Sequence, residues 1–145
     1  MVHVMAPKPR QPGFPIFFNV DTSVGRGGQN SNPDDVMLVQ YFLSLIGKQP
    51  SPKTPPSLAA VKPTGKIDPI TIQAIEDFQR ADGIQPDGRV SVAQGYRYGS
   101  HYYTIATLGF NVQDRFKMLW PNVDKMPGCP PLLKGAVRTS LAGVG

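Results

Sequence analysis

The longest apolar pattern of the chain lies between Asn32 and Gly47. Asn32 can cap a helix, and Pro33 suits the first helical position. Apolar residues then recur at steps of three and four, and a second apolar line runs beside the first. Because Gly47 favours a left-handed stop, the pattern predicts a helix that ends near Ile46 and is buried on more than one side. The two lines comprise Val36, Val39, Leu43 and Ile46, and Leu38, Phe42 and Leu45.

A second segment, from Asp68-Pro69 to Gly83, repeats the same order of helix signals: a capping residue, a proline at the first helical position and a terminal glycine. Its apolar face is predicted to consist of Thr71, Ala74, Ile75 and Phe78. Gln40 and Gln79 stand near the same apolar stripe of their respective helices. The two segments therefore indicate a degenerate internal repeat.

Two proline-rich segments lack such periodicity. Residues 1–19 contain Pro7, Pro9, Pro12 and Pro15, so we expect an extended arm. Residues 48–66 read as a proline-rich insertion that is extended and lies on the surface. Since neither segment can pack by an apolar face of its own, we expect neighbouring chains to hold both in place.

The last third of the chain is less regular. Residues 96–110 alternate in a way that is typical of strands, and a short helix is predicted from Asn111 to Pro121. A final helix is expected to begin at Pro131, and residues 142–145 should fray. The predicted division is an arm over 1–19, a domain over 20–95 and a C-terminal extension over 96–145.

Composition and charge limit the function classes. The 145 residues suit one compact domain, and 16 prolines and 15 glycines favour small helices with long loops. A net charge of +5 fits an anionic partner such as a bacterial wall, a nucleic acid or an acidic protein surface. Because the chain has no run of like charge, a nucleic-acid partner is not expected.

Catalytic and metal chemistry find little support. The chain has one cysteine, Cys129, and two distant histidines, His3 and His101, so we predict no disulfide, no metal site and no cofactor. No nucleophile pattern is present, and the carboxylates are explained as caps, turn formers and helix-surface charges. We therefore predict that the protein is not an enzyme.

Targeting signals are also absent from the sequence. The start carries no continuous apolar run, and no stretch approaches the length of a membrane helix. We expect synthesis in the cytoplasm without a signal peptide, and no membrane span. Action would then follow at the cell wall, or in a virion or exported particle.

Three stretches together resemble a peptidoglycan-binding domain, as found in bacterial and phage cell-wall proteins. They are Asp34 to Leu43 with its Val-Gln pair, Thr71 to Arg80 with Ala-Ile and Phe-Gln, and Gly83 to Gly88 with its Asp-Gly turn. The resemblance covers about residues 20–90. It implies a mainly α fold built on a compact unit of two or three helices, to which the residue patterns described above add proline-rich arms and an irregular α+β C-terminal extension.

The resemblance also implies noncatalytic binding to peptidoglycan in a shallow groove near the helix starts and connecting loops. It brings Asp68, Thr71, Arg80 and Arg89 forward as ligand-binding candidates. Members of the family continue after the Asp-Gly turn with a Gly-Pro-x-Thr start and a third helix. Here Asp87-Gly88 is followed by a different sequence, so we expect that helix to be altered or displaced, with loss of one wall of the groove.

Three motifs each have two interpretations. The glycine-rich loop Gly25 to Gly28 either cradles a phosphate or, as we favour, forms a sharp turn. Gln40 and Gln79 either contact a ligand or, as we favour, tie loops to their helices. The aromatic and basic residues of Tyr96 to Tyr103 either bind sugars or nucleobases or, as we favour, form a packed strand or a protein interface.

For the protein as a whole, two alternatives to wall binding stay open. The chain can be a structural or adaptor subunit of a phage tail, a baseplate or a contractile injection particle, with other subunits as its partners. It can also be an accessory part of a cell-wall hydrolase.

Overall fold

The computed structural model describes residues 2–5 and 16–143. In these residues the chain is mainly α, as predicted. The helices are α1 (Pro33–Lys48), α2 (Pro69–Ala81), α3 (Thr104–Arg115) and α4 (Pro131–Ala142), with 3₁₀ helices at Pro56–Ala60 and Val123–Lys125. Antiparallel ribbons pair β1 (His3–Met5) with β2 (Phe17–Asn19), β3 (Val24–Gly25) with β4 (Arg89–Val90), and β5 (Arg97–Tyr98) with β6 (His101–Tyr102).

Helix α1 is the centre of the core. Every residue from Asp35 to Ile46 is buried, which accords with the two apolar lines of its sequence. The helix continues through Gly47 to Lys48, so Gly47 is not the stop that was expected. A Cβ at Gly47 would lie 2.6 Å from the backbone nitrogen of Ala59, and glycine is therefore needed for the close approach of the next segment.

The buried carboxylate of Asp35 anchors the start of α1. Its Oδ2 accepts hydrogen bonds from the backbone nitrogens of Asp21 and Thr22, each at 3.1 Å, and from Asn32 Nδ2 at 3.1 Å. Asn32 makes no side-chain bond to the helix backbone, so the expected cap is replaced by this network. The loop before α1 is thereby fixed against the helix.

The insertion over residues 48–66 is packed on its own domain, and the expectation of an extended surface segment is wrong. Its 3₁₀ helix lies against α1, with Leu58 and Val61 buried. Ser57 Oγ donates to Asp77 at 2.7 Å, and Lys53 pairs with Asp82 at 2.7 Å. Two buried apolar side chains are enough to hold this segment on the domain, although they form no periodic pattern, because its prolines reduce the conformational entropy that the chain loses on folding.

The described residues of the predicted N-terminal arm also belong to the core. β1 pairs with β2, and Val2, Phe17 and Phe18 are buried. Ser140 Oγ donates to the carbonyl oxygen of Val2 at 2.6 Å, which joins this ribbon to α4. The expectation of a separate extended arm is thus wrong for residues 2–5 and 16–19, while residue 1 and residues 6–15 lie outside the described residues.

The C-terminal region contains a helix where strand was expected. After the β5–β6 hairpin, α3 begins at Thr104, and Asn111 lies inside it rather than at a cap. Ile105, Leu108 and Val112 are buried at steps of three and four, which is the helical pattern that the aromatic and β-branched composition concealed. The final helix begins at Pro131 as predicted, and residues 144–145 lie outside the described residues.

No helix in the described ranges combines the length and the apolar character that crossing a bilayer requires.

Candidate functional site

The buried amide of Gln40 joins α1 to the start of α2. Its Oε1 accepts from the backbone nitrogen of Gly65 at 2.8 Å. Its Nε2 donates to the carbonyl oxygen of Lys66 at 2.8 Å and to Thr71 Oγ1 at 3.1 Å. Acceptor and donor atoms of the amide are thus occupied by one turn and one helix start.

Gln79 makes the corresponding set of bonds one repeat later. Its Oε1 accepts from the backbone nitrogen of Gly88 at 2.9 Å. Its Nε2 donates to the carbonyl oxygen of Arg89 at 2.9 Å and to Thr104 Oγ1 at 3.1 Å. A further bond at 3.0 Å reaches Asp87 Oδ1. The favoured interpretation of both glutamines, as ties between a loop and a helix, agrees with these contacts.

These matching bonds identify α3 as the third helix of the unit. Thr104 occupies the place in the second repeat that Thr71 occupies in the first. Residues 67–70 separate Lys66 from Thr71, whereas residues 90–103 separate Arg89 from Thr104. The third helix is therefore displaced along the sequence by an insertion, and the expected loss of its wall of the groove is wrong.

A cleft of about 330 Å³ lies where the second repeat closes. It is bounded by the end of α2, the loop that follows it, β4 with the residue after it, and the start of α3. The lining residues are Gln79, Ile84, Gln85, Asp87, Arg89, Ser91, Tyr103 and Thr104.

The cleft combines an apolar side chain with a charged rim. Ile84 is buried, whereas Asp87 and Arg89 are exposed and carry opposite formal charges. Asp87 Oδ1 also accepts from the backbone nitrogen of Arg89 at 2.9 Å, which fixes the turn between them. A pocket with a small apolar base and a few oriented polar groups is typical of a binding site for a small polar ligand.

Residues 32–94 match the family model described as "Putative peptidoglycan binding domain". This segment is thus similar to the peptidoglycan-binding family, which agrees with the resemblance read from the sequence. The match covers α1, α2 and the turn at Asp87-Gly88, and it ends before the hairpin and α3. Searches of curated proteins and of solved structures found no match to the chain.

The four ligand-binding candidates lie in different surroundings within the matched segment. Arg89 lines the cleft. Asp68 caps α2, with its Oδ1 accepting from the backbone nitrogen of Thr71 at 2.7 Å. Thr71 is fully buried and its hydroxyl accepts a hydrogen bond from Gln40 Nε2, so its contact with a ligand stays a prediction from the sequence.

Arg80 lies on the exposed face of α2 in a network of charges. It pairs with Glu76 at 3.1 Å and with Asp77 at 3.6 Å. Hydrogen bonds from Arg26 and from Arg80 lower the pKa of the Glu76 carboxyl. Arg80 is not among the residues that line the cleft, and the structure thus brings only Arg89 of the four candidates to it.

Sequence reasoning missed Ile84, Gln85, Ser91 and Thr104 as lining residues, whereas Tyr103 belongs to the segment for which sugar binding was one of two interpretations. A signal was present, since a glycine and a basic residue precede a threonine in both repeats. The longer spacing in the second repeat concealed it. Gln79 was recognised, but its contacts make it a support of the cleft rather than a free ligand donor.

The glycine-rich loop at Gly25 to Gly28 acts as a turn, as favoured. The backbone nitrogen of Gly25 donates to Asn30 Oδ1 at 2.7 Å, and that of Arg26 donates to the carbonyl oxygen of Gly88 at 2.9 Å. The first of these contacts closes the loop on itself, and the second ties it to the turn before β4, so both amides serve internal contacts.

Metal and thiol chemistry receive no support within residues 2–5 and 16–143. No group of three or more His, Cys, Asp or Glu is arranged there to hold a metal ion. Burial raises the pKa of the Cys129 thiol to about 11, so it stays protonated at neutral pH.

Proposed function

We propose that the protein binds peptidoglycan without catalysing a reaction, and that the cleft beside Gln79 holds the ligand. The observation that carries the proposal is the position of the cleft. It lies within the family-matched segment and at its junction with α3, where the domain has a concave, polar and charged surface.

The chemistry of the rim fits the peptide stem of peptidoglycan. Stem peptides carry carboxylates, amide groups and, in many walls, a free amine. The guanidinium of Arg89 can form paired hydrogen bonds to a carboxylate, and Asp87 can accept from an amine or an amide. Because a charged hydrogen bond contributes about 1.5 to 3 kcal/mol, these two residues would supply a substantial part of the free energy of weak, reversible binding.

Buried groups support this surface without touching the ligand. The amide of Gln79 is occupied by the turn at Gly88 and by Thr104, so it fixes the distance between the turn and α3. A rigid rim loses less conformational entropy on binding. The favourable free energy of ligand contacts with Arg89 and Asp87 is then offset less by a loss of conformational entropy.

The absence of a second carboxylate at the cleft supports a noncatalytic role. Glycoside hydrolysis generally uses two carboxylates that face the scissile bond. Among the residues that line the cleft, Asp87 alone carries a carboxylate.

Sedimentation with purified peptidoglycan tests this proposal. Arg89→Ala should lower the bound fraction at moderate salt, while Lys117→Ala, which removes the same charge outside the cleft, should leave it unchanged. Arg80→Ala should also leave it unchanged, because Arg80 is engaged by Glu76 and Asp77. Equal losses in all three variants would indicate nonspecific attraction of charge, which salt screens, and would refute the assignment of the cleft.

The finer alternatives for the whole protein stay predictions from the sequence. A role in a phage tail, a baseplate or an injection particle, and a role beside a hydrolase, are each compatible with a wall-binding unit. Location at the cell wall follows from the proposed function.

A further inference from the structure

The insertion before α3 forms an aromatic hairpin, residues 96–103, that has no counterpart in the first repeat. Its base is closed by the backbone nitrogen of Tyr103, which donates to the carbonyl oxygen of Tyr96 at 3.0 Å. Tyr103 also lines the cleft. The hairpin is thus continuous with the proposed ligand site.

The hairpin is fixed to the core by its aromatic rings. Tyr96 lies 4.8 Å from the ring of Phe17 and 6.2 Å from that of Phe110. The ring of Tyr102 meets Phe110 edge to face at 5.4 Å. Just before the hairpin, Asn19 is bonded to both the nitrogen and the carbonyl oxygen of Ala93. The insertion is therefore held in one position relative to the cleft.

Its exposed face carries a preoriented guanidinium. The Cζ atom of Arg97 lies 4.4 Å from the ring centre of Tyr102, and Arg97 Nη2 donates to the Tyr102 hydroxyl at 2.8 Å. Both side chains are exposed. Since a guanidinium has five N–H donors, the remaining donors can serve a ligand.

We propose that the hairpin binds the glycan strand of peptidoglycan while the cleft holds the attached peptide stem. This inference rests on the proposed function. The glycan is uncharged along its backbone, and its hydroxyl and N-acetyl carbonyl oxygens accept hydrogen bonds from Arg97. Aromatic and guanidinium planes also offer flat surfaces to a sugar ring.

The composition of the hairpin favours a glycan over a nucleic acid. Binding of single strands combines stacking aromatics with a groove of several basic residues that follow the backbone. The hairpin has one arginine, Arg97, and no lysine. One oriented donor beside an exposed tyrosine suits a neutral sugar better than a chain of phosphates.

Calorimetry with two soluble ligands tests the inference on the full chain. The ligands are a free stem peptide and the same peptide attached to its disaccharide. The wild type should bind the disaccharide peptide more tightly. Arg97→Gln and Tyr102→Ala should weaken that binding roughly tenfold, as expected for loss of one charged hydrogen bond, and leave the affinity for the free peptide unchanged.

The variants need three controls. Tyr102→Phe keeps the ring but removes the hydroxyl that holds Arg97, so it should weaken disaccharide binding less than Tyr102→Ala. Lys117→Gln removes one charge outside the hairpin and should have no effect. Unchanged thermal unfolding of Arg97→Gln shows that its effect does not come from a loss of fold.

The outcomes separate the inference from the function on which it rests. Equal affinities of the wild type for both ligands, or equal losses for both in the hairpin variants, overturn the glycan assignment and leave the cleft intact. Binding of neither ligand overturns the proposed function itself. Binding of a single-stranded oligonucleotide that depends on Arg97, with unchanged disaccharide binding, also overturns the assignment.

Discussion

Replacing Gln79 with leucine should destabilise the fold and disable the cleft together. Leucine has nearly the same volume but makes no hydrogen bond, so the buried nitrogen of Gly88 loses its acceptor and Thr104 loses its donor. Each buried polar group left unpaired costs about 1 to 3 kcal/mol. With the Gly88 nitrogen and the Thr104 hydroxyl both unpaired, the free energy of unfolding should fall by roughly 2 to 6 kcal/mol.

Gln40→Leu provides the matched comparison, because Gln40 makes the corresponding bonds to Gly65 and Thr71 in the first repeat. Urea unfolding should show a similar loss for both variants. At temperatures where both stay folded, only Gln79→Leu should reduce retention on peptidoglycan. A change in unfolding free energy below about 0.5 kcal/mol, the range of ordinary surface substitutions, would refute the reasoning for Gln79.

Three further predictions concern stability. Phe78 is buried against the core, so Phe78→Ala should lower the free energy of unfolding by roughly 3 to 5 kcal/mol in urea titration, and a negligible change would contradict its place in α2. Gly47→Ala places a Cβ 2.6 Å from the backbone nitrogen of Ala59, so thermal unfolding should show a loss of about 1 to 3 kcal/mol in the free energy of unfolding. A stabilised variant would show that α1 and the segment at Ala59 can separate freely. Burial raises the pKa of Asp35 above its ordinary value of 3.8, so the folded state binds this proton more tightly than the unfolded state. The stability that results from this difference is present at low pH and is lost as pH rises through the folded pKa. The unfolding free energy of wild type relative to Asp35→Asn should therefore fall as pH rises through that range, and a pH-independent difference would contradict the sign.

Much of the helical unit could be predicted from sequence because its signals are local. Asn32-Pro33 and Asp68-Pro69 mark helix starts, and the apolar steps that follow them specify which faces are buried. Asp68 caps α2 as expected. The same local rules failed at Gly47, where glycine is required by a neighbouring segment rather than by a helix end.

Contacts between distant segments could not be predicted in this way. The strand at His3–Met5 is held by β2, and the preceding Val2 is held by Ser140, but neither contact can be read from the local sequence pattern. Leu58 and Val61 are two apolar residues in a proline-rich segment, and the surfaces of α1 and α2 give this segment its place against the core.

The cleft was predicted in part, for the same physical reason. Arg89 follows a recognisable turn, whereas Tyr103 and Thr104 reach the cleft across an insertion whose length hides the repeat. The prediction for Thr71 was drawn from its position near a helix start, which says nothing about whether its hydroxyl faces solvent or, as here, a buried glutamine.

Backbone chemical-shift mapping with a soluble disaccharide peptide tests the central claim most directly. If the cleft binds peptidoglycan, the amides of Gly88, Arg89, Ser91 and Thr104 should shift progressively with ligand, while those of the exposed face of α2 around Arg80 should not. A titration that moves no resonances, or moves only those around Arg80, would contradict the assignment of peptidoglycan binding to this cleft.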